Sequence, residues 1–186
     1  MLIPVAAFYE SFNHDADYNA ALEKWTWSYN FNAGGWHTAR LEATLVGLDE
    51  VHWEMYVSKA GAFTDFLWYS GNTKTDETMA TWQLSKDPTS PVPFVDITYH
   101  KDALTGEAEI KYENVASGVD NGSYIEYGLV TDPLNAFYNI YLANEDNLVN
   151  IAWNTTSKEG RVKNLAHFGD AEWRCWDTLL DDVECE

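Results

Sequence analysis

Long apolar runs and basic residues are both scarce in this sequence of 186 residues. No stretch reaches the roughly 20 apolar residues that a membrane-spanning helix needs, so we expect no membrane span. Only 11 Lys and Arg residues stand against 30 Asp and Glu, for a formal net charge of -19. Such a surface repels phosphate backbones, because affinity for nucleic acid comes largely from Lys and Arg that replace condensed counterions. We therefore exclude nucleic acid as a partner.

The sequence also lacks the motifs of common catalytic and metal sites. It contains no G-x-S-x-G, S-x-x-K, H-E-x-x-H or G-x-G-x-x-G motif and no phosphate-binding P-loop. Asp15, Asp17 and Asn19 match the start of an EF-hand loop. Ala20 then stands where that loop needs glycine, and Thr26 stands where it needs a bidentate glutamate. We expect no metal and no cofactor.

Only two cysteines occur, Cys175 and Cys185, and both lie in the final stretch "EWRCWDTLLDDVECE". There is no C-x-x-C motif, and two thiols without nearby histidines make a poor zinc site. A disulfide across this short loop would contribute about 2–3 kcal/mol and hold the terminus in place. Two reduced cysteines in a cytosolic protein are the alternative. We favour the disulfide, which predicts a secreted, periplasmic or cell-surface protein.

The opening "MLIPVAAFYESF" bears on the same question of location. It has a short apolar run, but no basic segment precedes that run and a proline comes early. It is therefore not an intact signal peptide. We expect either a cytosolic protein or the mature part of an exported one, with its signal or anchor missing and Met1 added.

Aromatic residues and a two-residue period dominate what remains. From Trp25 onward, apolar and polar residues alternate, as in "VHWEMYV", where Val51, Trp53 and Met55 share one face. Short joints rich in Gly, Asn and Asp separate these segments. The pattern predicts a single all-β domain over 1–186, built as an antiparallel up-and-down β-barrel of about 8–11 strands. A two-sheet jelly-roll sandwich is the alternative.

One short helix is predicted near the N-terminus, in residues 13–24, "NHDADYNAALEK". Asp15 or Asp17 can cap its start, and Ala20, Ala21 and Leu22 favour helix.

The aromatic residues suggest a function, because a small barrel either fills with its own side chains or holds one small ligand. Rings stack on sugars and on apolar molecules, so we expect a non-enzymatic protein that binds a small apolar or glycan ligand. The candidate ligand-binding residues come from different strands: Trp53, Trp68, Trp82, Tyr99, Tyr138 and Trp153.

Paired glutamates offer an enzymatic alternative. Glu126, in "YIEYG", shares a face with Tyr124 and Gly128, and its partner would be Glu54 or Glu172. Two carboxylates on a β-scaffold suffice for glycoside hydrolysis. The stretch resembles small secreted jelly-roll xylanases, although the paired-glutamate motifs of that family are not recognisable around Glu54 or Glu172.

Three stretches in order, "FLWYSGN…TWQL", "PFVDITY" and "GRVKN…F.DAEW.CWD…D.EC", resemble uncharacterised exported or lipoprotein-anchored bacterial proteins built as meander β-barrels. The resemblance covers most of the chain after Trp25. It implies an exported protein of lipocalin-like architecture, and it brings no functional residues with it. Because a fold does not determine a function, the ligand has to be inferred from the site.

Overall fold

The computed structural model describes residues 2–185, most of which lie in β-strands. The chain divides into two compact units, an N-terminal unit that ends at Val95 and a C-terminal unit that begins at Asp96. The prediction of one domain over 1–186 stays a prediction.

The N-terminal unit holds one helix and six complete strands, and a seventh strand contains the boundary. These elements are α1 (Leu2–Ser11), β1 (Asp17–Asn19), β2 (Lys24–Asn32), β3 (Trp36–Val46), β4 (Glu50–Lys59), β5 (Phe63–Lys74), β6 (Met79–Asp87) and β7 (Ser90–Lys101).

The C-terminal unit consists of seven further strands, one short helix and one 3-10 turn. These elements are β8 (Ala108–Asn114), β9 (Tyr124–Leu129), β10 (Ala136–Leu142), the 3-10 turn (Ala143–Glu145), β11 (Asn147–Trp153), β12 (Gly160–Asn164), α2 (Leu165–Phe168), β13 (Arg174–Trp176) and β14 (Asp182–Val183).

Strand order follows chain order from β1 to β14, and the pairings are antiparallel. The predicted all-β, up-and-down architecture is therefore confirmed. Residues 2–185 form 14 strands rather than 8–11, and two of them, β1 and β14, contain only three and two residues, too few to show an alternation. In this order β1 and β14 have one neighbour each. The jelly-roll alternative is wrong, because it needs neighbouring strands that are distant in the chain.

The core of the N-terminal unit lies on one face of strands β2 to β5. Trp27, Leu41, Met55 and Tyr69 stand directly opposite one another across these four strands. The side chains of Leu41 and Met55 are 0% exposed, and Tyr69 is 3% exposed. The two-residue period thus places large apolar side chains in one row, as the alternation in "VHWEMYV" predicts.

Helix α1 packs against this apolar face. The ring of Phe8 meets Trp53 and Trp82 edge-on, with centroids 5.2 and 5.5 Å apart. Two side chains bond the carbonyl oxygen of Ala7: the Tyr29 hydroxyl donates to it at 2.8 Å, and the Ser11 hydroxyl donates at 3.0 Å. The first of these hydrogen bonds ties the helix to strand β2.

The predicted helix over residues 13–24 is wrong in position, although the chain does begin with a short helix. The Asn19 side-chain oxygen accepts hydrogen bonds from the backbone N–H groups of Ala21 and Leu22, at 3.0 and 3.3 Å. This local turn lets β1 pair with Lys24–Thr26 of β2. Asn favours such turns because its side chain competes for backbone N–H groups, and that preference outweighs the helix propensity of the alanines.

The predicted disulfide is confirmed at the C-terminus. Cys175 and Cys185 are bonded, with their Cα atoms 5.3 Å apart. Cys175 lies on β13 opposite Val183 of β14. The bond therefore crosslinks the last hairpin and holds its two-residue strand.

Candidate functional site

A pocket of about 230 Å³ opens on the N-terminal unit, at one end of its apolar face. Rings from β2, β3 and β5 form most of its wall, and the end of β6 together with Pro88 forms the remaining part, its rim. The lining residues are Phe31, His37, Val57, Phe63, Phe66, Trp68, Lys86, Asp87 and Pro88.

A β-bulge in β5 positions the largest ring of this pocket. Met55 pairs with Tyr69 and Tyr56 pairs with Leu67, so Trp68 has no residue opposite it on β4. A bulge bends its strand and re-aims a side chain. Here it lets Trp68 pack against the core that contains Tyr69 while also lining the pocket.

His37 brings a directional polar group to the pocket. Its Nδ1 lies 2.8 Å from the carbonyl oxygen of Gly35. A carbonyl can only accept, so Nδ1 carries the hydrogen, and Nε2 of the neutral ring is left as an acceptor. The imidazole stacks on Phe31 with centroids 5.1 Å apart. The ring is therefore held in one orientation by a hydrogen bond and an aromatic contact.

The two charged residues at the rim differ in their partners. Asp87 accepts hydrogen bonds from the Thr89 hydroxyl and from the backbone N–H groups of Thr89 and Ser90. These bonds, above all that from the Thr89 hydroxyl, lower the pKa of Asp87. Lys86 makes no side-chain hydrogen bond and no ion pair within residues 2–185, but its charge also contributes to the lowered pKa of Asp87. Lys86 is thus the cation of this pocket, and Asp87 shapes the turn.

Of the six predicted ligand-binding residues, Trp68 lies in this pocket. Trp53 and Trp82 pack beneath α1, and the indole nitrogen of Trp53 donates to the Thr73 hydroxyl at 2.9 Å. These two rings are occupied by the core. Tyr99 lies on β7.

Tyr138 and Trp153 lie in the C-terminal unit, within a ladder of four rings across β8 to β11. Neighbouring centroids of Tyr112, Tyr127, Tyr138 and Trp153 are 6.3, 5.2 and 5.5 Å apart. The ring planes of the first and last pairs are within 15° of parallel. These rings contact one another along the sheet, as cross-strand aromatic pairs do.

The two glutamates of the enzymatic alternative are engaged within their own units. Glu126, on β9, accepts a hydrogen bond from the Asn139 side-chain amide at 2.8 Å. Glu54, on β4, accepts one from the Tyr56 hydroxyl at 2.9 Å. Burial, followed by this hydrogen bond, raises the pKa of Tyr56 to about 12. Paired-carboxylate catalysis stays a prediction.

Sequence reasoning missed most of the pocket, because Phe31, His37, Phe63, Phe66 and Lys86 were not among the candidates. One signal was present in "FTDFLWYSGN", where apolar residues occupy both faces of the strand. A loss of alternation inside a strand is typical of a bulge.

Neither a metal site nor a membrane helix is found among residues 2–185. No group of three or more His, Cys, Asp or Glu side chains is arranged to hold a metal ion there. No helix in the same range is long and apolar enough to cross a membrane. Comparison of the chain with protein-family models, with curated proteins and with solved structures gives no match.

Proposed function

We propose that the protein is a non-enzymatic binding protein whose aromatic pocket holds one small, ring-sized ligand. The observation that carries this proposal is the pocket wall, where the Phe31, Phe66 and Trp68 rings line an open space of about 230 Å³. An apolar cavity of about 150 Å³ accepts benzene, and drug-sized pockets begin near 300 Å³. The space therefore suits one substituted ring or one sugar unit.

The polar groups of the pocket limit the ligand further. Nε2 of His37 is free to act as a hydrogen-bond acceptor, and Lys86 offers a positive charge beside Asp87, whose pKa it helps to lower. A small number of oriented polar groups among apolar walls is the usual composition of a ligand site. The ligand we propose has an apolar ring face and carries a carboxylate or hydroxyl group toward the rim.

A location outside the cytosol is part of the proposal. The Cys175–Cys185 disulfide supports it, because such bonds persist mainly in oxidising compartments. We propose a secreted, periplasmic or cell-surface protein, and the lipoprotein-like and lipocalin-like resemblance belongs to the same proposal.

The test is a titration of the isotope-labelled full chain with benzoate and with benzyl alcohol, followed by amide chemical shifts. We expect both probes to move the resonances of Val57, Phe66 and Trp68, and benzoate to bind more tightly because Lys86 meets its charge. If neither probe moves these resonances, the pocket does not bind ring-sized ligands and the proposal is wrong.

Two variants and a control locate the binding. Trp68→Ala removes a pocket wall and should weaken both probes, whereas Trp25→Ala removes a ring outside the pocket and should weaken neither. Lys86→Met keeps the length of the side chain and should weaken benzoate alone. An equal loss of benzyl alcohol binding in Lys86→Met would show that Lys86 acts by packing and not by charge.

A further inference from the structure

A row of polar side chains crosses five strands of the C-terminal unit, on the face opposite the ring ladder. Successive members stand directly opposite one another on β8 to β12. The row consists of Lys111, Glu126, Asn139, Asn150 and Lys163. Because neighbouring strands lie about 4.8 Å apart, the row is about 19 Å long.

Hydrogen bonds give this row one direction. Asn139 donates from its amide nitrogen to Glu126 at 2.8 Å, and Asn150 donates to the oxygen of Asn139 at 2.7 Å. A carboxylate only accepts, so the Asn139 nitrogen must point to Glu126 and the Asn150 nitrogen must point to Asn139. The side-chain oxygen of Asn150 is left at the end of this chain, next to Lys163.

Two cations without a carboxylate partner lie at that end of the row. Arg161 and Lys163, on β12, both contact the ring of Trp173, with charge-to-centroid distances of 4.5 and 4.9 Å. Neither forms an ion pair within residues 2–185, although the chain has a formal net charge of -19. In so acidic a chain, two neighbouring cations held by an aromatic ring point to an anion supplied by a partner.

The other lysine of the row is already neutralised. Lys111 forms an ion pair with Glu113 at 2.6 Å and lies over the ring of Tyr124. Positive charge is therefore concentrated at the β12 end, and hydrogen-bonding amides occupy the middle.

We propose that this row is a second binding site, for an acidic oligosaccharide of the uronic acid class. Sugar hydroxyls can both donate and accept hydrogen bonds. They can therefore donate to the side-chain oxygen of Asn150 and to the second carboxylate oxygen of Glu126. A sugar carboxylate would lie between Arg161 and Lys163 and accept charge-assisted hydrogen bonds from both, which are stronger than neutral ones. Trp173 offers an apolar ring beside them, of the kind that packs on sugar faces.

Isothermal titration of the full chain with a short oligogalacturonate, and with the uncharged galactose oligomer of the same length, tests the proposal. We expect oligogalacturonate to bind, and its affinity to fall as salt is added, because the contacts at β12 are ionic. Lys163→Gln and Asn150→Ala should each weaken binding, the first by about tenfold or more.

Lys158→Gln is the matched control, because Lys158 lies in the turn before β12 and its ammonium group donates to the carbonyl oxygen of Thr155. It removes the same charge from outside the row and should leave the affinity unchanged. Lys86→Met, in the pocket of the N-terminal unit, should also leave it unchanged, which separates this site from the one proposed above.

Four results would overturn the proposal: no binding of oligogalacturonate, equal binding of the uncharged oligomer, equal weakening by Lys158→Gln and Lys163→Gln, or binding restricted to a sulfated oligosaccharide. Far-ultraviolet circular dichroism of each variant shows whether a loss reflects unfolding. If Lys163→Gln fails to fold, Asn150→Ala carries the test, since it removes an acceptor and leaves both cations on Trp173.

Discussion

Strands in both units of this chain alternate apolar and polar residues, but their apolar faces are buried to different extents. In the N-terminal unit, α1 lies on the apolar face, and Leu41 and Met55 beneath it are fully buried. In the C-terminal unit, the only α-helix among residues 96–185 is the four-residue α2, which contacts β11 and β12, and Ala136 is the one buried hydrophobic residue in that range. Leu129, on its apolar face, is 53% exposed.

The difference shows how each unit is stabilised. A helix that covers a sheet excludes water from the apolar side chains between them, so burial of apolar surface stabilises the N-terminal unit. The C-terminal unit depends on contacts along the sheet: ladders of rings on one face, and on the other face the amide chain between Glu126 and Asn150. Each cross-strand pair of these kinds contributes about 0.2–1 kcal/mol to stability.

The largest expected effect of a single substitution lies in the covered core. Leu41→Ala should lower the free energy of unfolding by about 2–5 kcal/mol, because it leaves a cavity beneath α1. Ile140→Ala, on the apolar face of β10, should cost about 1 kcal/mol, because its side chain is only half-buried. Urea unfolding followed by circular dichroism measures both values.

Equal destabilisation by these two substitutions would contradict the comparison, since it would mean that the apolar face of the C-terminal unit is as well covered as that of the N-terminal unit. Ala39→Ser is a small change at a fully buried position of β3. It tests whether the polarity of a side chain, as well as its volume, affects the stability of the covered core.

The second effect concerns the crosslink of the C-terminal unit. Replacing Cys175 and Cys185 together by serine should cost about 2–3 kcal/mol, because the unfolded chain regains the freedom of a ten-residue separation. Hydrogen exchange should show lost protection at Val183 of β14 and unchanged protection at Met55. If Met55 loses protection to the same extent, the crosslink stabilises more than its own hairpin.

The smallest effect is on alkaline stability, and it follows from the tyrosines. Burial raises the pKa of Tyr69 strongly in the N-terminal unit, and in the C-terminal unit burial and Tyr127 raise that of Tyr112 to about 12. A raised pKa means that the folded state favours the neutral phenol. Its contribution to stability is complete below pH 10, the ordinary tyrosine value, and is lost as the pH rises toward and beyond 12.

Absorbance of the phenolate during a pH titration of the folded protein measures the order in which these tyrosines ionise. Tyr112 should ionise at a lower pH than Tyr69, and Tyr112→Phe should reduce the absorbance change near pH 12, where Tyr56 also ionises. Ionisation of Tyr69 first would mean that the core under α1 admits water.

Much of the fold was predictable because its causes are local. The alternation in "VHWEMYV" correctly places Val51, Trp53 and Met55 on one face, since side chains in a strand alternate whatever the tertiary context. The candidate site was not predictable in the same way. His37 reaches the pocket through the pairing of β3 with β2, and Trp68 reaches it through a bulge.

The position of the N-terminal helix was likewise not predictable from local composition. Residues 13–24 have the composition of a helix, yet the Asn19 turn and the pairing of β1 with β2 outweigh it. The apolar run in residues 2–11 forms the helix instead, where Phe8 finds Trp53 and Trp82 to pack against. Isolated short helices are marginal in water, so packing decides which segment becomes helical.

The amino-acid sequence by itself determined the strand period, the turns between strands and the disulfide between two cysteines ten positions apart, because each depends on groups close together in the chain. Only the tertiary structure decided which aromatic rings are covered and which line a pocket. Trp53 and Trp68 lie on neighbouring strands, but α1 covers the first and a bulge turns the second toward the pocket. Those outcomes depend on contacts between distant segments, which local patterning does not encode.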